Sequence, residues 1–204
     1  MKLYYMPGAC SMTPHTALEW IGQPYEAQSV NRREIKSPEY LKLNPQGAVP
    51  LLVDGDLVLS QNAAILAYLD ARFPQARLFG SDDLKGKARA WRWLAFLNAD
   101  VHKAFSPLFH LPDYVHDEAV KTAMQSAARD NIRHLLAQAD AQLAAQPYLG
   151  DDVSVADVYL YVLLRWCRSL QLDLADLPQL APFYVRLGEN AGVRSVITQE
   201  NLKP

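Results

Sequence analysis

A chain of 204 residues, half of them hydrophobic, can bury a sizeable core as one large domain or two small ones, and its pattern favours two. A formal net charge of -2, with Lys and Arg scattered, excludes the basic surface that nucleic acid or an anionic membrane requires. No apolar run approaches the ~18 residues of a membrane span, and the short apolar stretch after Lys2 is not expected to act as a secretory leader. The 2 cysteines lie far apart and make no disulfide framework, so the expected setting is the reducing cytoplasm.

The opening MKLYYMPGACSMTPHTALEW predicts a strand over residues 2–5, a turn at Pro7-Gly8, and a helix that Gly22 closes. Ser11 is the expected N-cap, with Met12, Ala17, Leu18 and Ile21 at helical spacing. Cys10 would then sit at the helix's positive end, where unpaired N–H groups favour a thiolate. A lone cysteine is as a rule a small buried hydrophobe, but the turn after Pro-Gly should leave this one accessible. Cys167, inside the apolar run 158–172, reads as packing.

Residues 25–30 form a second expected strand, followed by a polar loop from Asn31 to Lys36. Ser37-Pro38-Glu39-Tyr40 opens a short helix that Asn44-Pro45 stops. Residues 49–53 and 57–59 should pair as a hairpin around Asp54-Gly55, with Pro50 at the strand start. From Ser60 a helix runs until Pro74.

After residues 74–83, rich in Pro, Gly, Ser and Asp, all strand signals disappear. The expected division is therefore 1–76, a linker 77–83, and an all-helical unit 84–204. Residues 84–109 read as one long helix that Pro107 ends or kinks, with Trp91, Leu94, Leu97, Val101, Phe105 and Leu108 inward. Asp117 opens a second, with Val120, Met124, Ala127, Ile132, Leu135, Ala139 and Leu143 as its apolar stripe. Ser154-Val155-Ala156-Asp157 is a capping-box variant ahead of a helix that is apolar nearly all round and suits the bundle centre. Weaker helices over 178–188 and 193–199 close the unit.

Taken together, KLYYMPGACS, NPQGAVPLL (44–52), SQNAAILAYL (60–69), VHKAFSPLF (101–109) and GDDVSVADVYLY (150–161) resemble the bacterial, beta-class glutathione S-transferases from end to end. The resemblance implies an α/β plus all-α fold: a thioredoxin-like N-terminal glutathione-binding domain, then an all-helical bundle that contributes the hydrophobic substrate site. It implies a homodimer, glutathione as co-substrate and no metal. The implied activity is conjugation of the glutathione thiolate to hydrophobic electrophiles. Two other functions remain open. One is thiol-disulfide reduction or peroxide reduction with Cys10 as nucleophile; the other is a non-catalytic binding or regulatory module of the same fold.

The resemblance also implies roles for single residues. Cys10 would hydrogen-bond the glutathione sulfur or link to it, and Val49-Pro50 would be a cis junction pairing with the tripeptide backbone. Read without it, Pro50 is equally an ordinary strand-start proline, and Gln61 and Asn62 are a capping pair. With it, Gln61 and Asn62 grip the γ-glutamyl end, although many relatives carry an acid where Gln61 stands. Among five histidines only His102 matches the family motif, and it would act near the sulfur; His15, His110, His116 and His134 read as surface or satisfied core residues. Lys103 would meet a carboxylate, Arg33 or Lys36 the glycine carboxylate, and an asparagine of relatives falls at Ala95. Phe105, Phe109, Tyr114 and Trp166 read either as an apolar wall for the second substrate or equally as core residues, Trp166 more as core.

Overall fold

The computed structural model describes residues 1–203. Strand β1 (Lys2–Tyr5) runs into helix α1 (Met12–Ile21), which Gly22 ends in a left-handed conformation with its N–H on the Leu18 carbonyl. Strand β2 (Glu26–Ser29), a 3-10 turn (Glu34–Lys36) and helix α2 (Pro38–Leu43) follow; the Ser37 side chain caps α2 on the Tyr40 N–H, as its sequence predicts. Strands β3 (Leu51–Asp54) and β4 (Leu57–Ser60) lead into helix α3 (Asn62–Arg72).

The four strands form one sheet in the order β2-β1-β3-β4, β1 parallel to β2 and the other two pairs antiparallel. Asp54 pairs with Leu57, so the hairpin turn is Gly55-Asp56 rather than Asp54-Gly55, with Gly55 at φ 63° taking the conformation such a turn demands. One sheet face meets α1 and α3. The other covers a small cluster of Val30, Ile35, Tyr40 and Leu51.

Leu78 and Phe79 are fully buried between the two halves, and the Leu78 carbonyl accepts from the Val155 N–H. The expected single helix over 84–109 is broken into α4 (Leu84–Phe96), a π turn (Leu97–Val101), α5 (His102–Ala104) and α6 (Ser106–Phe109). Pro107 stands in the first turn of α6, where a proline lacks nothing the helix needs. Helix α7 (Glu118–Ala145) is capped by Asp117. Its buried stripe is Ala128, Ile132, Leu136, Ala139 and Leu143; Val120 is exposed and Ala127 faces outward, so the expected stripe holds only in the second half.

Helix α8 (Val155–Ser169) buries eleven of its fifteen residues and runs through the centre, against α1, α4 and α9 (Leu180–Gly188). Helix α10 (Ala191–Gln199) returns to pack on α1. One continuous core thus joins Leu3, Met12, Leu18 and Ile65 of the first half to Leu94, Val158, Leu160 and Val196 of the second. Among the described residues no helix is long and apolar enough to cross a membrane.

Candidate active site

A cleft of about 590 Å³ opens between the sheet edge and the long helices, lined by Cys10, Val49, Pro50, Gln61, Asn62, His102 and Lys103 among others. It lies within the size range of small-molecule sites. Cys10 reaches it from the β1–α1 turn, whose shape is fixed on both sides. Ser11, expected as N-cap, makes no cap bond to α1; its fully buried hydroxyl accepts from the Met6 N–H (3.1 Å) and donates to the Met6 carbonyl (3.3 Å). Gly8 adopts φ 72°, its N–H donated to Glu200 Oε2 (2.8 Å) while its carbonyl accepts from Trp166 Nε1–H (2.8 Å).

The Cys10 thiol is not the exposed thiolate its position predicts. It is 9% exposed and its Sγ donates to the Val49 carbonyl at 3.9 Å. Burial pushes the thiol up to about 11, against the pull of the Asn62 side chain and the Cys10 and Ser11 N–H groups. The Val49-Pro50 bond is cis, as the resemblance implies, and both residues line the cleft.

Gln61 stands before α3 at φ 73° and ψ 124°, a region a non-glycine residue rarely occupies, and its Nε2 donates to Gln46 Oε1 (2.9 Å). Asn62 is 3% exposed and its Oδ1 has no protein partner, although it lines the cleft. Of the two cations expected for a glycine carboxylate, Lys36 folds onto the Gln46 and Gly47 carbonyls (3.4 and 3.0 Å), and Arg33 is exposed. Neither lines the cleft itself, whereas Gln46 does.

His102 and Lys103 enter from α5. The His102 Nδ1 lies 2.7 Å from Tyr159 Oη, and the Tyr159 hydroxyl donates to Asn98 Oδ1 at 2.9 Å. Burial, helped by the Lys103 charge, lowers the His102 pKa. Burial first, then the neighbouring Cys10, raises that of Tyr159. Asn98 and Tyr159 line the cleft and were not singled out from the sequence. Ala95, where the resemblance puts an asparagine of relatives, does not line the cleft, whereas Asn98, three residues on in the π turn, does.

The four aromatic residues read as wall or core are placed differently from one another. Phe105 is fully buried and belongs to the core. Tyr114 is 80% exposed on the loop before α7 and does not line the cleft. Trp166 packs edge-on against His102 (4.8 Å between ring centroids) and spends its N–H on Gly8, so it supports the cleft from behind. Phe109, 42% exposed, borders a neighbouring hollow of about 430 Å³ with Leu111 and Val115. Near His102 the cleft wall is polar instead, made of Asn98, Lys103 and Ser106.

Family models described as the glutathione S-transferase N-terminal and C-terminal domains match residues 1–71 and 116–186. The chain belongs to the glutathione S-transferase family. It is similar to glutathione S-transferase GST-4.5 of Xanthomonas campestris pv. campestris, 41% identical over 99% of this chain and 100% of the relative. The solved glutathione S-transferase from Xylella fastidiosa superposes with a TM-score of 0.95 at 42% identity, over 99% of each chain. Two sphingomonad structures superpose at 0.86 over 100% of both chains: one complexed with glutathione (34% identity), the other the beta-class transferase of Sphingomonas chungbukensis (31%). The beta-class resemblance of the sequence and the two-part fold stand on these matches.

Proposed function

We propose that this glutathione transferase holds the tripeptide along Val49-Pro50, with its sulfur between Cys10 and His102, and conjugates it to small electrophiles. The observation that carries the reading is the convergence of Cys10, the cis Val49-Pro50 junction, Asn62 and His102 on one cleft. Asn62, with its unpartnered Oδ1, and Gln61 receive the γ-glutamyl end, and Lys36, whose ammonium rests on the Gln46 and Gly47 carbonyls beside the cleft, serves the glycine carboxylate. Cys10 acts as a neutral hydrogen-bond donor to the glutathione thiolate, since burial holds its own proton on. Phe109 offers apolar surface to the electrophile. The same raised thiol counts against Cys10 as a ready nucleophile for disulfide or peroxide reduction.

The reading includes a homodimer, for which the exposed Val120 and the groove holding Met124, Ala127 and Pro107 supply apolar surface, and a cytoplasmic setting that suits two free cysteines. Native mass spectrometry tests the first. Among the described residues no group of His, Cys, Asp and Glu could hold a metal ion.

The test of function is calorimetry with glutathione alongside conjugation of a chloronitroaromatic, in the native chain and in Cys10→Ala. Millimolar or tighter binding with conjugation retained in the variant is the expected outcome. No heat with glutathione would turn the assignment to a non-catalytic module, and loss of conjugation in Cys10→Ala with glutathione still bound would overturn the reading of Cys10 as an auxiliary hydrogen-bond donor.

A further inference from the structure

We propose that Asn98 and Tyr159 fix the tautomer of His102, leaving its Nε2 as an unprotonated acceptor in the cleft that takes the proton of the glutathione thiol. The inference rests on the function proposed above and deepens it, turning a histidine near the sulfur into a base with a stated atom. It begins with hydrogens that can be counted. An amide oxygen only accepts, so the 2.9 Å contact to Asn98 Oδ1 uses the one hydrogen of the Tyr159 hydroxyl. Tyr159 Oη then has only lone pairs for the His102 Nδ1 at 2.7 Å, and Nδ1 must carry a hydrogen.

In a neutral imidazole the second nitrogen is bare, and the hydrogen bond at one nitrogen decides which that is. Nε2 bonds no protein group among the described residues, while the ring lines the cleft. The groups that could compete for its proton are Lys103 on its own helix, Tyr159 from α8 and Cys10 from the β1–α1 turn. Lys103 and burial both keep the ring neutral, so the acceptor is present at neutral pH. The alternative, an Nε2–H donor, would polarise a sulfur already ionised but could not ionise it.

In the step itself the S–H bond of glutathione breaks and an Nε2–H bond forms. The imidazolium keeps its Nδ1–H on Tyr159, and the thiolate keeps the electron pair with which it attacks the electrophilic carbon. In a substitution the leaving group departs with its own pair and the Nε2 proton passes to solvent. In an addition that proton goes to the carbanion of the product. Tyr159 and Asn98 touch no reacting atom in this scheme and are positioning residues.

The experiment is imidazole nitrogen NMR on the full chain labelled with 15N-histidine at neutral pH, assigned with His102→Gln. The native protein should show His102 as the Nδ1–H tautomer. Asn98→Ala frees the tyrosine hydroxyl to turn and donate to Nδ1, and should move His102 to the Nε2–H form. Asn98→Asp restores an acceptor and should restore the native signature. Tyr159→Phe should lower kcat by about a hundredfold, the lower end of what a positioned base contributes, with the glutathione Kd changed by less than about threefold. A native Nε2–H signature overturns the proposal, and so does an unaltered tautomer in Asn98→Ala. Absence of glutathione binding in calorimetry would remove the function but not the tautomer, so the two failures are separable.

Discussion

A sulfur that is 9% exposed loses most of the water that would solvate its charge, and at Cys10 this decides the balance. A helix terminus favours a neighbouring anion by about 0.3–1 kcal/mol. Moving a thiol from 9.0 to about 11 corresponds to about 3 kcal/mol in the other direction. Desolvation therefore wins over the backbone N–H groups, and α1 begins two residues after the cysteine. With the thiol raised so far by burial, Cys10 stays protonated at pH 7. Cys167, at about 12 and 1% exposed, is less reactive still. Alkylation of the free protein by iodoacetamide, followed by mass spectrometry of the Cys10 peptide, should be slow at neutral pH and rise about tenfold per pH unit up to pH 10. A rate already flat between pH 7 and 9 would mean that the helix end does hold a thiolate.

At the scale of elements, α8 depends on its start. Asp157 accepts from the Leu149 N–H (2.8 Å), the Ser154 N–H (2.9 Å) and the Ser154 hydroxyl (2.9 Å), and is fully buried. Asp157→Ala leaves two backbone donors without a partner away from water, and should cost about 2–4 kcal/mol in urea unfolding. Because α8 carries Tyr159 and Trp166, glutathione affinity should fall with stability. A loss below about 1 kcal/mol would show that water replaces the carboxylate. This cap was readable from Ser154 and Asp157 alone, as were β1, the close of α1 at Gly22 and the cap of α2, because each rests on residues within a few positions. Asn98 and Tyr159 were not readable in the same way. Their roles arise where a π turn in one helix meets the middle of another 61 residues away, and helical counting across a π turn misplaces a side chain. The division of the aromatic residues between core and cleft was unreadable for a related reason. Hydrophobicity gives no means of telling Phe105, which fills the core, from Phe109, which leaves it.

Across the whole molecule, the two ends of the chain meet at the turn that carries Cys10. Glu200, the residue after α10, is 4% exposed; it accepts the Gly8 N–H through Oε2 and pairs with the His15 Nδ1 at 2.9 Å through Oε1. His15 is wholly buried on α1, with Gln199 Oε1 at its other nitrogen (3.1 Å) and the Tyr5 ring 4.9 Å away. The Gly8 peptide is thus gripped on its N–H by the C-terminal segment and on its carbonyl by Trp166 of α8. Glu200→Ala strands a backbone N–H and a buried imidazole nitrogen at once, so about 2–4 kcal/mol of stability should be lost. Glu200→Gln can still accept the Gly8 N–H through its amide oxygen, and should lose less. The two variants separate simple destabilisation from control of the site. If the C-terminal grip sets where Cys10 stands, Glu200→Ala weakens glutathione binding even in conditions where circular dichroism shows it fully folded, and Glu200→Gln recovers most of that affinity. Equal glutathione affinities in the native chain and both variants would reduce the clamp to a packing contact, and would leave Trp166 and the Ser11 hydroxyl as the groups that shape the turn.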